Sequence, residues 1–418
     1  MIPFKFIHAA DIHLDSPLQG LEQYEGAPVD EIRGATRRAL ENLVALAIEA
    51  KVDFVLIAGD VYDGDWQDYN TGLFFAAQMA ALKAASIKVF IIRGNHDATS
   101  RITKSLTLPE NVFEFSHLKP QTKELKDLGV AIHGQSFATQ AVSDDLSAEY
   151  PAPIPGYYNI GLLHTSADGR PDHASYAPCS VQSLKTKGYD YWALGHIHMR
   201  EILSEAEPWI VFPGNIQGRH IRETGEKGCT LVNVDEAGRA TLEHRSLDVL
   251  RWQLIYLDAT GIDTAEAAFA AVEGKLIECA EPGVDRLMAI RVIISGETAA
   301  HTYLSGYRNQ ALNDLRARVI AIGAGRFWLE KLVVSTRELQ VKSETSSSDI
   351  GKELLEYVDL LAHDDAQIAE LIDSMSKLRN DLPHEIRTGS GDVEMFSPEH
   401  ILGSLETIRQ ILISRLQS

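Results

Sequence analysis

Only three cysteines stand in 418 residues, Cys179, Cys229 and Cys279, an odd number at wide spacing. That pattern argues against a disulfide framework and a cysteine zinc cluster, and leaves reduced, buried thiols as the expectation. Long apolar runs are missing as well. The opening MIPFKFIHAADIH is broken by Lys5 and His8, too short a run for a signal-peptide core, and no later segment reaches the length of a membrane span. A cytoplasmic protein without a membrane segment is therefore expected. Positive charge is scarce: 39 Lys and Arg face 59 Asp and Glu, a formal charge of −20. A chain of that sign does not coat nucleic acid diffusely, so any polyanionic substrate must be attracted locally. Internal repeats and long low-complexity tracts are also absent.

What is present is an ordinary globular balance, 45% hydrophobic and 23% charged residues, enough to bury a sizeable core in two or three domains. From residue 4 to about 235, short β-branched runs alternate with helical patterns. FKFIHAAD, VDFVLIAGD and IKVFIIRGNHD read as strands, and Leu40, Leu43, Val44 and Ala47 recur at helical spacing. Further apolar runs at YNIGLLH, YDYWALGH, WIVFPGN and GCTLVNV have less helix between them, which suggests a two-sheet core flanked by helices. The expected fold class is α/β, with an α/β/β/α sandwich over residues 1–250. A small α/β domain is expected over 251–342, and the polar stretch SETSSSD opens a helical segment over 343–418.

Five strand ends carry chemistry-bearing residues. They are Asp11 and His13; Asp60; Asn95, His96 and Asp97; His164; and, in YWALGHIHMR, His196 and His198. In a strand, residues i and i+2 share a face, so both imidazoles of His196 and His198 are expected to point beyond the strand tip, as a metal site needs. Each motif alone has a plainer explanation: Gly-Asp as a turn, Asn-His-Asp as a helix cap, a lone histidine as a structural one. The ordered set D-x-H, G-D, G-N-H-D, H and G-H-x-H makes coincidence improbable.

That set resembles the calcineurin-like metallophosphoesterases, through Asp11-Ile12-His13, Gly59-Asp60, Gly94-Asn95-His96-Asp97, His164 and Gly195-His196-Ile197-His198. HAADIHLDSPL, GDVYD and PGNIQGRHIRETGEKG look most like the SbcD and YhaO group of bacterial DNA repair exonucleases. The superfamily resemblance spans roughly residues 1–250. It implies two divalent ions about 3.5–4 Å apart bridged by a carboxylate, for which Asp60 is the natural bridge. Asp11, His13 and His198 would complete one position, and Asn95, His164 and His196 the other. Imidazole, carboxylate and amide donors without thiolate suit Mn²⁺ foremost, with Fe, Zn or Mg as alternatives. His96 is placed to protonate the leaving oxygen or contact the phosphate, and Asp97 either orients His96 or caps a helix. The family's archaeal and eukaryotic nucleases carry a histidine where this chain has Asp63, which leaves a role for Asp63 open.

The implied activity is a metal-dependent DNA phosphodiesterase, a 3′ to 5′ exonuclease with possible single-strand endonuclease action. The alternatives are a phosphatase or small-molecule phosphodiesterase on the same scaffold, and a non-catalytic subunit with a relic metal site. Arg93, Arg101, Lys104, Arg219, His220, Arg222 and Lys227 are candidate phosphate contacts, although any one of them alone reads first as a solvated residue of a mixed-charge loop. The resemblance also implies DNA as substrate, a homodimer, and a coiled-coil ABC-type ATPase of the SbcC kind docking on the C-terminal helices.

Overall fold

A computed structural model describes residues 1–16, 32, 34–63, 69–99, 107–167, 176–279, 286–323, 326–339, 349–362, 364–375, 397, 401–405, 408, 409 and 412. The expected Arg101 and Lys104 contacts, the SETSSS stretch and most of the last helical segment lie outside them.

The first compact unit comprises Met1–Thr298 and Tyr307–Arg337. Its first sheet contains β1 (Phe4–Ala9), β2 (Phe54–Ala58), β3 (Lys88–Ile92), β4 (Val112–Glu114), β11 (Gly228–Val234) and β12 (Ala240–Ser246), in the order β12-β11-β1-β2-β3-β4. Its second contains β5 (Gln121–Leu125), β6 (Val130–Gly134), β7 (Tyr158–His164), β8 (Tyr191–Gly195), β9 (Glu201–Glu205) and β10 (Trp209–Phe212), in the order β5-β6-β7-β8-β10-β9. Strands β1 to β4 run parallel to one another, as do β6, β7 and β8, so the carboxyl ends of each set share an edge. Ligand crevices in α/β folds form at such edges.

Strand alternation explains the layers. In β2, Phe54, Leu56 and Ala58 enter the core shared with Ile132, Ile160, Leu162 and Tyr191 of the second sheet. Val55 and Ile57 face the other way, toward Leu40, Leu43 and Phe75 of α1 (Ala35–Ala50) and α2 (Tyr69–Ala84). Phe6 stacks on Phe54 at 5.1 Å and meets Tyr191 edge-on at 5.2 Å, tying the two sheets together. Each such fully buried side chain contributes roughly 1.5–3 kcal/mol. Behind the second sheet, Trp192, Leu194 and Ile210 pack with Leu184 of α3 (Val181–Thr186). The expected helix/sheet/sheet/helix order is present.

A third, wholly parallel sheet has the order β13-β14-β15, from β13 (Leu250–Asp258), β14 (Leu287–Glu297) and β15 (Phe327–Arg337). The crossovers are α4 (Ala265–Cys279) and, before β15, α6 (Arg308–Gly323). Leu250, Trp252, Ala289 and Trp328 form one buried cluster with Ile32 and Ala35, so this sheet is joined to the first helix of the core. The second unit, Ala299–Gly306 and Glu338–Ser418, holds α5 (His301–Gly306), α7 (Asp349–Ala362) and α8 (Asp365–Ser374). There Ile368 packs with Ile401 and Leu405, and Arg409 pairs with Asp359 at 2.7 Å. No described helix is long and apolar enough to cross a membrane.

Candidate metal centre

The loops that follow β1 and β2 run side by side, joined by Asp11 N–H to Gly59 O (3.0 Å), His13 N–H to Asp60 O (3.0 Å) and Leu14 N–H to Val61 O (2.9 Å). From the second sheet, His196 N–H donates to both carboxylate oxygens of Asp11, at 3.1 and 3.0 Å. His96 N–H donates to Asp60 Oδ1 at 2.9 Å. His164 donates Nδ1–H to Ala58 O at 2.8 Å and turns Nε2 toward Asn95 Oδ1 (2.9 Å) and Asp60 Oδ2 (3.4 Å). All five strand ends therefore reach one place.

The strand-parity expectation for these residues is not what brings them together. β1 ends at Ala9 and β8 at Gly195, so Asp11, His13, His196 and His198 lie beyond the strands. The backbone there is left-handed, with φ 51° at Asp11, 45° at His13, 53° at Asp60 and 104° at His196. Side chains other than glycine rarely adopt this conformation, and such strain gathers at functional sites. The turn after β8 separates the two histidines. His198 meets His13, ring centroids 4.9 Å apart, whereas His196 meets His164 at 5.3 Å and Tyr176 at 5.3 Å.

Potential ligand atoms cluster as Asp11 with His13 and His198, as Asp11 with Asp60 and His164, and as His13 with Asp60 and His96. The donor set fits a cation. His13 Nε2 and His198 Nε2 face each other at 3.1 Å, while His198 Nδ1–H is held by Glu223 Oε1 at 2.6 Å. His198 therefore aims a lone pair, not a proton, at that point. Asp11 and Asp60 are each 1% exposed, and among the described residues neither is ion-paired with a lysine or arginine. Two buried carboxylates with only imidazoles beside them leave room for a further positive charge.

The protonation equilibria follow that geometry. Burial raises Asp11, opposed by the charges of His198 and His164. Burial would also raise Asp60, but His164 and His13 hold it well below the carboxylate range. Burial pushes His13 down to about 3, helped by the Arg219 charge. At His164 burial acts the same way, yet the Asp60 carboxylate prevails and raises it to about 9. A proton and a divalent cation would compete for that Nε2.

Around this centre, the expected partners are partly exchanged. The carboxylate facing His96 Nδ1, at 2.9 Å, belongs to Asp63, which also accepts from Ser16 Oγ at 2.6 Å. Despite burial, the His13 imidazole 3.7 Å away and the hydrogen bonds from His96 and Ser16 keep Asp63 well below the carboxylate range, and Asp63 in turn raises His96. Asp97 instead accepts from the backbone N–H groups of Val61 (3.1 Å), Tyr62 (2.9 Å) and Gly94 (3.2 Å), pinning the β2 and β3 loops to each other. Its burial and the nearby Asp60 charge raise it.

The expected phosphate contacts are differently placed. Arg93 is ion-paired with Glu114. Arg219 lies against Ser16 (3.2 Å), Asp63 (3.5 Å) and Glu223 (3.7 Å). His220 is half exposed, 3.6 Å from Glu223, and its Nδ1 accepts Arg222 N–H at 3.2 Å. Lys227 is buried and donates Nζ–H to His198 O at 2.9 Å. Glu223 was not anticipated. Only its position within RHIRETGEK, an acidic residue amid basic ones, could have drawn attention to it.

Two family models match the chain: the calcineurin-like phosphoesterases over residues 4–200, which contain every candidate ligand, and the middle domain of metallophosphoesterase YhaO over 252–337. The chain is 34% identical to the uncharacterized metallophosphoesterase YhaO of Bacillus subtilis, over 70% of this chain and 71% of that protein. It is 24% identical to the DNA double-strand break repair protein Mre11 of Methanopyrus kandleri, over 57% and 56% of the two chains. The match to the Mre11 protein of Sulfolobus acidocaldarius is 22% identical and covers 89% of this chain and 95% of that one.

Proposed function

We infer the function from one premise: the chain belongs to the calcineurin-like metallophosphoesterases. It is a hydrolase of phosphoester bonds. Within that class we read it as a DNA phosphodiesterase acting in repair or recombination, a 3′ to 5′ exonuclease with single-strand endonuclease action. The observation that carries the reading is the meeting of three linked groups, Asp11 with His13 and His198, Asp11 with Asp60 and His164, and His13 with Asp60 and His96. The repair proteins among its relatives support DNA as the substrate.

Asp11, His13, Asp60 and His198 would hold one divalent ion, and Asp60, Asn95, His164 and His196 a second, with Mn²⁺ foremost on this donor set. Bound there, the ions would neutralise charge developing on the phosphate oxygens. The chain itself supplies the proton. Asp63 holds His96 at Nδ1 and favours its protonated form, so the half-exposed imidazole can deliver a proton to the leaving oxygen. The proposal extends to a homodimer and to an ABC-type ATPase docking on α7 and α8, because a duplex must be held over several phosphates.

A small phosphodiester is the second reading. It is favoured by the engagement of Arg93 with Glu114 and of Arg219 with Asp63 and Glu223, which diminishes two of the expected contacts to a long polyanion. The test is hydrolysis of labelled duplex DNA, single-stranded DNA, bis(p-nitrophenyl) phosphate and p-nitrophenyl phosphate with Mn²⁺ or EDTA. Mn²⁺-dependent shortening of DNA from its 3′ ends is expected. Turnover of the small diester with both DNAs left intact would reject the nuclease reading.

A further inference from the structure

The two proposed ion positions are backed by different chemistry. His164 donates its Nδ1–H to a neutral backbone carbonyl, Ala58 O. His198 donates its own to a buried carboxylate, Glu223, which is 7% exposed. The other oxygen of Glu223 accepts Asn215 Nδ2–H at 2.9 Å and Arg219 N–H at 2.7 Å, and Asn215 is itself fully buried. A group that takes three donors is an ionised acceptor. Arg219 Nη2 also approaches His198 Nδ1, but at 3.4 Å, against 2.6 Å for Glu223, so the ring proton belongs to the carboxylate. From the same loop Lys227 holds the His198 carbonyl.

We propose that Glu223 is a positioning residue for the ion position formed by Asp11, His13 and His198, and that it sets the affinity of this position separately from that of the other. The proposal rests on the metal-binding reading above. The physical reason is twofold. The carboxylate fixes His198 with its proton on Nδ1, leaving Nε2 beside His13 Nε2 as a ligand, and its negative charge makes that nitrogen a stronger donor. A neutral amide keeps the volume but loses the charge. Its NH₂ group would also favour the opposite tautomer when turned toward His198.

The test has two independent readouts on the full chain. Mn²⁺ binding is followed by calorimetry and by electron paramagnetic resonance of free Mn²⁺, and imidazole ¹⁵N shifts give the His198 tautomer in the metal-free protein. The wild type is expected to bind two ions and to carry the His198 proton on Nδ1. Glu223→Gln is expected to weaken one ion by roughly 10- to 100-fold and leave the other unchanged, with Glu223→Asp recovering part of the loss. A wild-type protein that binds no ion would overturn the metal-binding reading itself. Two ions in the wild type, with both affinities unchanged in Glu223→Gln or an equal loss at both positions, would overturn only the role of Glu223. The tautomer measurement needs no variant, so it decides even if Glu223→Gln fails to fold; a proton on Nε2 would reject the proposal.

Discussion

At the scale of single residues, His96 and Asp63 act as a pair. His96→Ala is expected to retain two bound ions and to slow cleavage by roughly 10²-fold or more, as loss of a general acid does. Asp63→Asn should cause a smaller loss and move the acidic-to-basic limb of the pH–rate profile downward, since the carboxylate no longer favours protonated His96. Unchanged rates in both variants, with metal content measured in parallel, would remove the pair from the chemistry. The candidate ligands were legible in the sequence because each follows a recognisable strand in a fixed order. Asp63 and Glu223 were not, because their partners lie 33 residues (Asp63 to His96) and 25 residues (His198 to Glu223) away in the chain. Asp97 shows the converse: adjacency to His96 in sequence suggested a partnership, and its carboxylate accepts from three backbone N–H groups of the neighbouring loops, contacts that adjacency does not indicate.

At the scale of elements, β1 and β8 are pinned to each other by a histidine outside the metal centre. His8 is fully buried, accepts from Tyr191 Oη–H at Nδ1 and donates Nε2–H to Leu194 O, both at 3.0 Å. Burial lowers its pKa from 6.5 to about 3. The folded state therefore holds it neutral while the unfolded chain takes up a proton. Its contribution is complete above pH 6.5 and is lost as the pH falls toward 3, by up to about 1.4 kcal/mol per unit. Urea unfolding between pH 7 and pH 4 is expected to show a shallower loss of stability in His8→Gln than in the wild type. Parallel slopes would exclude His8 as a source. The strands themselves were readable from their apolar runs, and the third sheet falls where LRWQLIYLD, LMAIRVIISGE and FWLEKLVVSTR occur. The turns beyond the strands were not readable, since nothing in the side chains of Asp11, His13 or His196 announces a left-handed backbone.

At the scale of the molecule, the third sheet reaches back to the loop that backs the metal centre. Gln217 accepts Val249 N–H at 2.9 Å and donates to Leu250 O at 2.6 Å, and Trp252 donates Nε1–H to Gly218 O at 3.1 Å. A chain ending at Val249 retains every candidate ligand but loses the Leu250 and Trp252 hydrogen bonds and the Leu250, Trp252 and Trp328 cluster. It is expected to melt several degrees below a chain ending at Arg337, each lost kcal/mol costing about 2–4 °C in a domain of this size. Equal melting temperatures by calorimetry would show the loop to be independent of the third sheet. Stability also bears on any attempt to improve this protein. Four residues of the centre, Asp11, His13, Asp60 and His196, occupy backbone conformations that glycine adopts freely. A library screened for heat resistance alone would reward glycine at those positions and relieve strain of order 1 kcal/mol at each. Its most robust members would be the ones in which the candidate metal centre had been erased, so selection for robustness has to be coupled to a screen for Mn²⁺ binding.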